Sequence, residues 1–89
     1  MIDPDTGWRL SPRVSVRPER FGALLYHFGT RQLSFLKDRT LLDLVTALAD
    51  APNAVAACDA VGIPDTDRAR YLRALETLAA SRMIEERAA

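Results

Sequence analysis

Polar and apolar residues alternate over Arg13-Val14-Ser15-Val16-Arg17, the two-residue period of a strand with one buried face. Pro12 and Pro18 bracket this segment, at strand ends where a missing N–H is tolerated. Pro18 to Gly22 reads as a turn. Ala23 to Phe28 is an apolar run with the β-prone residues Tyr26 and Phe28. Gly29-Thr30 reads as a short hairpin connection, with the glycine supplying a positive φ. Arg31 to Phe35 alternates again, with Leu33 and Phe35 on one face. The expected product is a three-stranded antiparallel meander. In its middle strand Ala23 and Leu25 alternate with Leu24, Tyr26 and Phe28, so both faces are apolar. One meets the rest of the fold, and the other is left for a partner or a neighbouring segment.

After Lys37 the period lengthens. From Asp38 to Leu48, residues Leu41, Leu44, Val45 and Leu48 fall at the i, i+3, i+4, i+7 spacing of one helical face. Asp50-Ala51-Pro52 breaks this helix. Asn53 caps a second, short helix running to about Val61, with Gly62 as its stop. Ile63-Pro64 makes a tight connection, and Asp65 is expected to cap a third helix to about Arg82. Asp67 in its first turn suits the helix dipole. The apolar positions of this helix are Tyr71, Leu72, Leu75, Leu78 and Ala79, and Met83-Ile84 is expected to add a short extended end. Three strands followed by three helices imply an α+β fold with the helices packed on one sheet face, a winged-helix-like arrangement. With 89 residues the chain is expected to form a single domain, 1–89, with flexible ends at about 1–7 and 87–89.

Composition narrows the function. Lysine plus arginine equals aspartate plus glutamate, 12 each, which does not favour a protein that grips phosphate backbones. Cys58 is the only cysteine, so no intrachain disulfide forms. The first ten residues lack the basic start and apolar stretch of a signal peptide, and no apolar run is long enough to span a bilayer, so a cytoplasmic location is expected. His27 falls on a strand and Cys58 on a short helix, without a glycine-framed nucleophile turn or an orienting group, so no catalytic residue is assigned. They read instead as a strand residue with its polar tip near the surface and a small core residue. Metal-ligand spacings and glycine-rich phosphate loops are absent, and no cofactor is expected. Asp65 and Asp67 read as helix-start residues rather than an acid–base pair. Trp8 suits either a lid beside the first strand or a partner anchor, and the lid is the simpler reading.

Leu10-Ser11-Pro12-Arg13-Val14, the hairpin, and Leu33-Ser34-Phe35-Leu36 leading into a leucine-rich helix together resemble the peptide-recognition domains related to the pyrroloquinoline quinone chaperone. The stretches Arg17 to Tyr26 and Arg31 to Lys37 are similar to the mycofactocin precursor-peptide chaperones in particular. The likeness runs from Trp8 to Glu86. Many relatives carry asparagine where this chain has Lys37, which leaves Asp38 as the cap of the first helix. The resemblance implies a non-catalytic chaperone that binds the leader of a ribosomally made precursor peptide and presents it to a radical S-adenosylmethionine maturase. The iron–sulfur clusters and S-adenosylmethionine would belong to that enzyme, since this chain lacks the cysteines to hold a cluster. It further implies that the leader docks as an extra strand between the third strand and the third helix. The strand edge would be Arg31, Gln32, Leu33, Ser34, Phe35 and Leu36, and the helical wall Arg68, Tyr71, Leu75 and Leu78.

Two rival readings stand beside this one. Ala54 to Leu78 resembles a helix-turn-helix with Arg68, Arg70 and Arg73 on its second helix, the pattern of a winged helix-turn-helix DNA-binding regulator. The balanced charge opposes it, as does the lack of room for a wing after that helix. The other rival is a subunit that stabilises its enzyme by docking alone, which sequence does not separate from a chaperone.

Overall fold

The computed structural model describes residues 5–87. Its elements are β1 (Trp8–Leu10), β2 (Val14–Pro18), β3 (Ala23–His27), β4 (Leu33–Leu36), α1 (Arg39–Ala47), α2 (Ala54–Val61), α3 (Asp65–Ala80) and β5 (Ile84–Glu86). The class is α+β, as expected, with a three-stranded antiparallel sheet ordered β2-β3-β4 ahead of three helices. A second, two-stranded sheet pairs β1 with β5, Trp8 opposite Glu86 and Leu10 opposite Ile84. The expected extended end is present at Ile84–Glu86, one residue beyond Met83, and its partner is the segment around Trp8. Trp8 is buried.

Residues 1–4 and 88–89, part of the ends expected to be flexible, lie outside the described residues. Gly7 and Arg87, counted among those ends, are instead paired. The Arg87 N–H donates to the Gly7 carbonyl (3.0 Å), and its guanidinium donates to the carbonyls of Ala49 (2.9 Å) and Ala51.

The β3–β4 connection differs from the expected two-residue turn. The Arg31 N–H donates to the His27 carbonyl (2.7 Å) and the His27 N–H to the Gln32 carbonyl (3.0 Å). His27 Nδ1 accepts from the amides of Gly29 (2.9 Å) and Thr30 (3.1 Å). The imidazole thus satisfies the turn amides from inside, and His27 is largely buried. Arg31, not Gly29, takes the left-handed conformation (φ 62°). Arg31 and Gln32 consequently belong to the turn, and the strand begins at Leu33.

The sheet register sets the facing of this strand. Leu25 lies opposite Ser34 and Ala23 opposite Leu36, while Tyr26 pairs with Leu33 and Leu24 with Phe35. Directly opposed residues share a face. Ala23 and Leu25 are fully buried, so Ser34 and Leu36 face the core. Leu33 and Phe35 point outward and are 59% and 63% exposed. Together with Phe21, Leu24, Tyr26 and Phe28 they make an apolar outer sheet face. Gly22 sits where a Cβ would overlap the Leu36 carbonyl oxygen and lie 2.9 Å from that of Asp38, so the end of β4 passes closely over it.

The helix caps follow from short-range chemistry. Asp38 Oδ1 accepts from the Leu41 amide (2.7 Å) and Asn53 Oδ1 from the Ala56 amide (2.8 Å). Gly62 closes α2 in the left-handed region (φ 82°), as expected of a glycine after a helix. Asp65 is not the cap of α3: Pro64 holds that position without a side-chain bond, and Asp65 and Asp67 lie in the first turn. The helix ends at Ala80, before the expected Arg82. Met83 N–H donates to the Leu78 carbonyl (2.8 Å) and Arg82 N–H to that of Ala79 (3.1 Å), which turns the chain out of the helix with Arg82 left-handed (φ 64°). Leu25, Leu36, Leu44, Leu48, Leu75, Met83 and Ile84 fill the core, each contributing roughly 1.5–3 kcal/mol by burial.

Candidate peptide-binding groove

The free edge of β4 runs beside a groove of about 630 Å³ walled by α3. Ser34, Phe35, Leu36, Lys37 and Asp38 supply one wall, and Arg70, Tyr71, Arg73, Ala74, Thr77 and Leu78 the other, with Leu41 of α1 between them. The buried residues Leu36, Leu41, Tyr71 and Leu78 give it an apolar floor. Lys37, Arg70 and Arg73 place cations at its rim. Arg70 lies over the Tyr71 ring (4.9 Å) and pairs with Asp67 (3.7 Å).

One carboxylate ties the walls together. Asp38 caps α1 through Oδ1, while its Oδ2 accepts from the Tyr71 hydroxyl (3.1 Å). The exit of β4, the start of α1 and the middle of α3 therefore meet at a single residue. Burial, together with the Asp38 bond, pushes the Tyr71 phenol above its ordinary value, so it remains a donor at neutral pH.

The edge of β4 is an open hydrogen-bonding surface. The His27 to Gln32 bond sets the phase of the β3–β4 ladder, and bonded pairs alternate along antiparallel strands. Gln32, Ser34 and Leu36 thus direct their main-chain groups to β3. Leu33 and Phe35 direct theirs to the unpaired side, since β4 is an end strand of its sheet. Two N–H and two C=O groups are available there to an extended chain.

Of the residues expected at the site, Ser34, Phe35, Leu36, Tyr71 and Leu78 line this groove. Leu33 lies on the open edge with its side chain on the outer face. Arg31 and Gln32 are displaced by the turn described above. Arg68 is elsewhere. It donates to the Ile63 carbonyl (3.1 Å) and pairs with Asp59 (2.5 Å) and Asp65 (3.3 Å), fastening the end of α2 to the start of α3. Leu75 is fully buried and forms core rather than wall. Lys37, Asp38, Leu41, Arg70, Arg73, Ala74 and Thr77 were not anticipated. Arg70, Arg73, Ala74 and Thr77 share the i, i+3, i+4, i+7 spacing of one helical stripe, which is the signal that marks the wall.

Outside the groove, burial raises the Cys58 thiol above its ordinary value, against a smaller opposing effect of Arg68. It is a core thiol held protonated. No helix of the described residues is long and apolar enough to cross a membrane.

A model of the peptide chaperone MftB family matches residues 7–85. The peptide chaperone MftB of Mycobacterium ulcerans (strain Agy99) is 60% identical over 83 residues, covering 93% of this chain and 76% of that protein. That of Mycobacterium tuberculosis (strain ATCC 25618 / H37Rv) is 60% identical over 86 residues, covering 97% and 79%. That of Mycolicibacterium smegmatis (strain ATCC 700084 / mc(2)155) is 57% identical over 83 residues, covering 93% and 81%. No solved structure matches. These likenesses set aside the DNA-binding reading of α2 and α3 and place the chain in a class of binding proteins rather than enzymes: it belongs to the peptide chaperone MftB family.

Proposed function

We propose that this chain binds the leader of the mycofactocin precursor peptide as an added strand beside β4 and presents it to a radical S-adenosylmethionine maturase in the cytoplasm. The observation that carries the reading is the unpaired edge of Leu33 and Phe35 running along a groove with an apolar floor and a cationic rim. An extended segment pairing with that edge would form about four backbone hydrogen bonds, worth roughly 1 kcal/mol each. Two or three apolar leader side chains on the floor add roughly 1.5–3 kcal/mol each before ordering costs. The balance is on the order of −8 kcal/mol, a micromolar complex. Lys37, Arg70 and Arg73 favour a leader with acidic side chains beside its apolar ones.

Calorimetry on the whole domain tests the reading. A synthetic leader binds and a core-only peptide does not. Phe35→Pro removes an edge N–H without breaking a bond to β3, and prolines are tolerated on edge strands. It weakens leader binding about ten-fold, the equivalent of one or two lost bonds, while circular dichroism stays native. Equal affinity for leader and core, or a folded Phe35→Pro variant that binds like wild type, would contradict the proposal.

A further inference from the structure

We propose that a second pocket, sharing no residue with the groove, binds a carboxylate. It encloses about 610 Å³ between the β3–β4 turn, the segment after β1 and the end of α3, with Trp8, Ala79 and Ile84 as apolar wall. Its polar lining includes hydrogen-bond donors still to be used, on His27, Ser11, Arg13 and Arg82. His27 Nδ1 accepts the two turn amides, which puts the imidazole proton on Nε2. That N–H has no acceptor among the described residues, and no buried side-chain nitrogen or oxygen among them lacks a partner. Nε2 therefore keeps access to solvent, on a residue otherwise 94% buried. Ser11, also buried, accepts from the Arg13 amide (3.2 Å), and its own proton goes to no acceptor among the described residues. Arg13 and Arg82 line the same pocket, and neither guanidinium has a carboxylate partner among them. Arg13 Nη1 lies over Gly29, within 3.4 Å of where a Cβ would stand. The only carboxylate in the lining, Glu85, is bonded to Arg9 (2.9 Å).

Free donors around a partly apolar pocket select an anion, and guanidinium pairs favour the planar carboxylate. The backbone supplies an independent pointer. Arg82 occupies the left-handed position after α3 (φ 64°), where glycine is the unstrained choice. An arginine held there at a cost is consistent with use of its side chain. An acidic side chain of a bound peptide and a free dicarboxylate share the required chemistry.

The test follows the Gly29 and Thr30 amides, which bond His27, in nitrogen-15 spectra of the full chain. The probes are acetyl-Leu-Glu-Leu-amide, its glutamine counterpart and glutarate. The glutamate peptide is expected to shift both amides in a saturable way, with the glutamine peptide at least ten-fold weaker. Arg82→Gly relieves the backbone and is expected to be as stable as wild type, yet to lose at least ten-fold in affinity for the glutamate peptide. Arg13→Gln does likewise. Leader binding in the groove is unchanged in both variants, so failure here is separable from failure of the groove proposal. Glutarate binding as well as the peptide assigns the site to a small dicarboxylate, and weaker binding assigns it to an acidic peptide; either supports the carboxylate pocket. Equal affinity for the glutamate and glutamine peptides, no saturable shift with either the glutamate peptide or glutarate, or unaltered binding in Arg82→Gly overturns it.

Discussion

Replacing Asp38 by alanine removes two bonds at once. The α1 cap to the Leu41 amide (2.7 Å) is worth about 1 kcal/mol. The acceptor for the Tyr71 hydroxyl (3.1 Å) is also lost, and an unpaired buried hydroxyl costs about 1–3 kcal/mol. The expected total is about 2–4 kcal/mol, or a Tm lowered by about 10–30 °C for a domain of this size. Tyr71→Phe removes only the second bond together with its donor, and costs about 0.5–1.5 kcal/mol. Asp38→Asn keeps a competent cap and falls between wild type and Asp38→Ala. Urea unfolding followed by the single, buried Trp8 reads all three, and an unchanged m value shows that the unfolded state is not the cause. Asp38→Ala should also weaken leader binding, because β4 and α3 lose the residue that sets their spacing. An Asp38→Ala cost below about 0.5 kcal/mol, within the ordinary range for surface substitutions, would refute the reasoning. So would a Tyr71→Phe cost equal to that of Asp38→Ala.

Alkaline pH should destabilise the fold. Cys58 and Tyr71 are both held above their ordinary values of 9.0 and 10.0, so the unfolded chain releases these protons first. Their contribution is complete below pH 9 and is lost as pH rises through the folded values, each at up to about 1.4 kcal/mol per pH unit. The urea midpoint measured from pH 8 to 11 should therefore decline from about pH 9 in wild type, and only from about pH 10 in Cys58→Ala, set by the ordinary values of the two groups. Arg68→Ala should lower the urea midpoint, through loss of the fastening between α2 and α3, while leaving leader affinity unchanged in calorimetry.

The helices were the most legible part of the chain. Asp38, Asn53 and Gly62 act locally, within a turn of their own position, and all three do what their residue types imply. Leu41, Leu44, Val45 and Leu48 are buried together, as their spacing requires. The fourth strand was legible in period but not in phase. Arg31 to Phe35 alternates, and the apolar pair Leu33 and Phe35 looks like the inward set. The register to β3 is decided by the His27-centred turn, which sends Ser34 and Leu36 inward instead. The small sheet of β1 and β5 joins three-residue strands from opposite ends of the chain, and three residues carry too little periodicity to announce a pairing.

The groove shows a similar division. That the β4 edge faces α3 was implied by the family resemblance, not by spacing. Hydrophobic periodicity identifies the stripe of a helix that is buried, so it points to Tyr71, Leu75 and Leu78. A groove wall is the neighbouring stripe, which here is the mixed set Arg70, Arg73, Ala74 and Thr77. Arg68 looked available for a ligand because nothing in the linear order shows that Asp59 and the Ile63 carbonyl come within its reach.

Strand addition at β4 makes its most direct prediction for individual amides. Residue-resolved hydrogen exchange of the free domain should show Leu33 and Phe35 exchanging fast, because their N–H groups face the open edge, and Ser34 protected by its bond to β3. On addition of saturating leader, Leu33 and Phe35 should become protected while Ser34 changes little. A leader that binds with Leu33 and Phe35 still exchanging at their free rates would contradict the account.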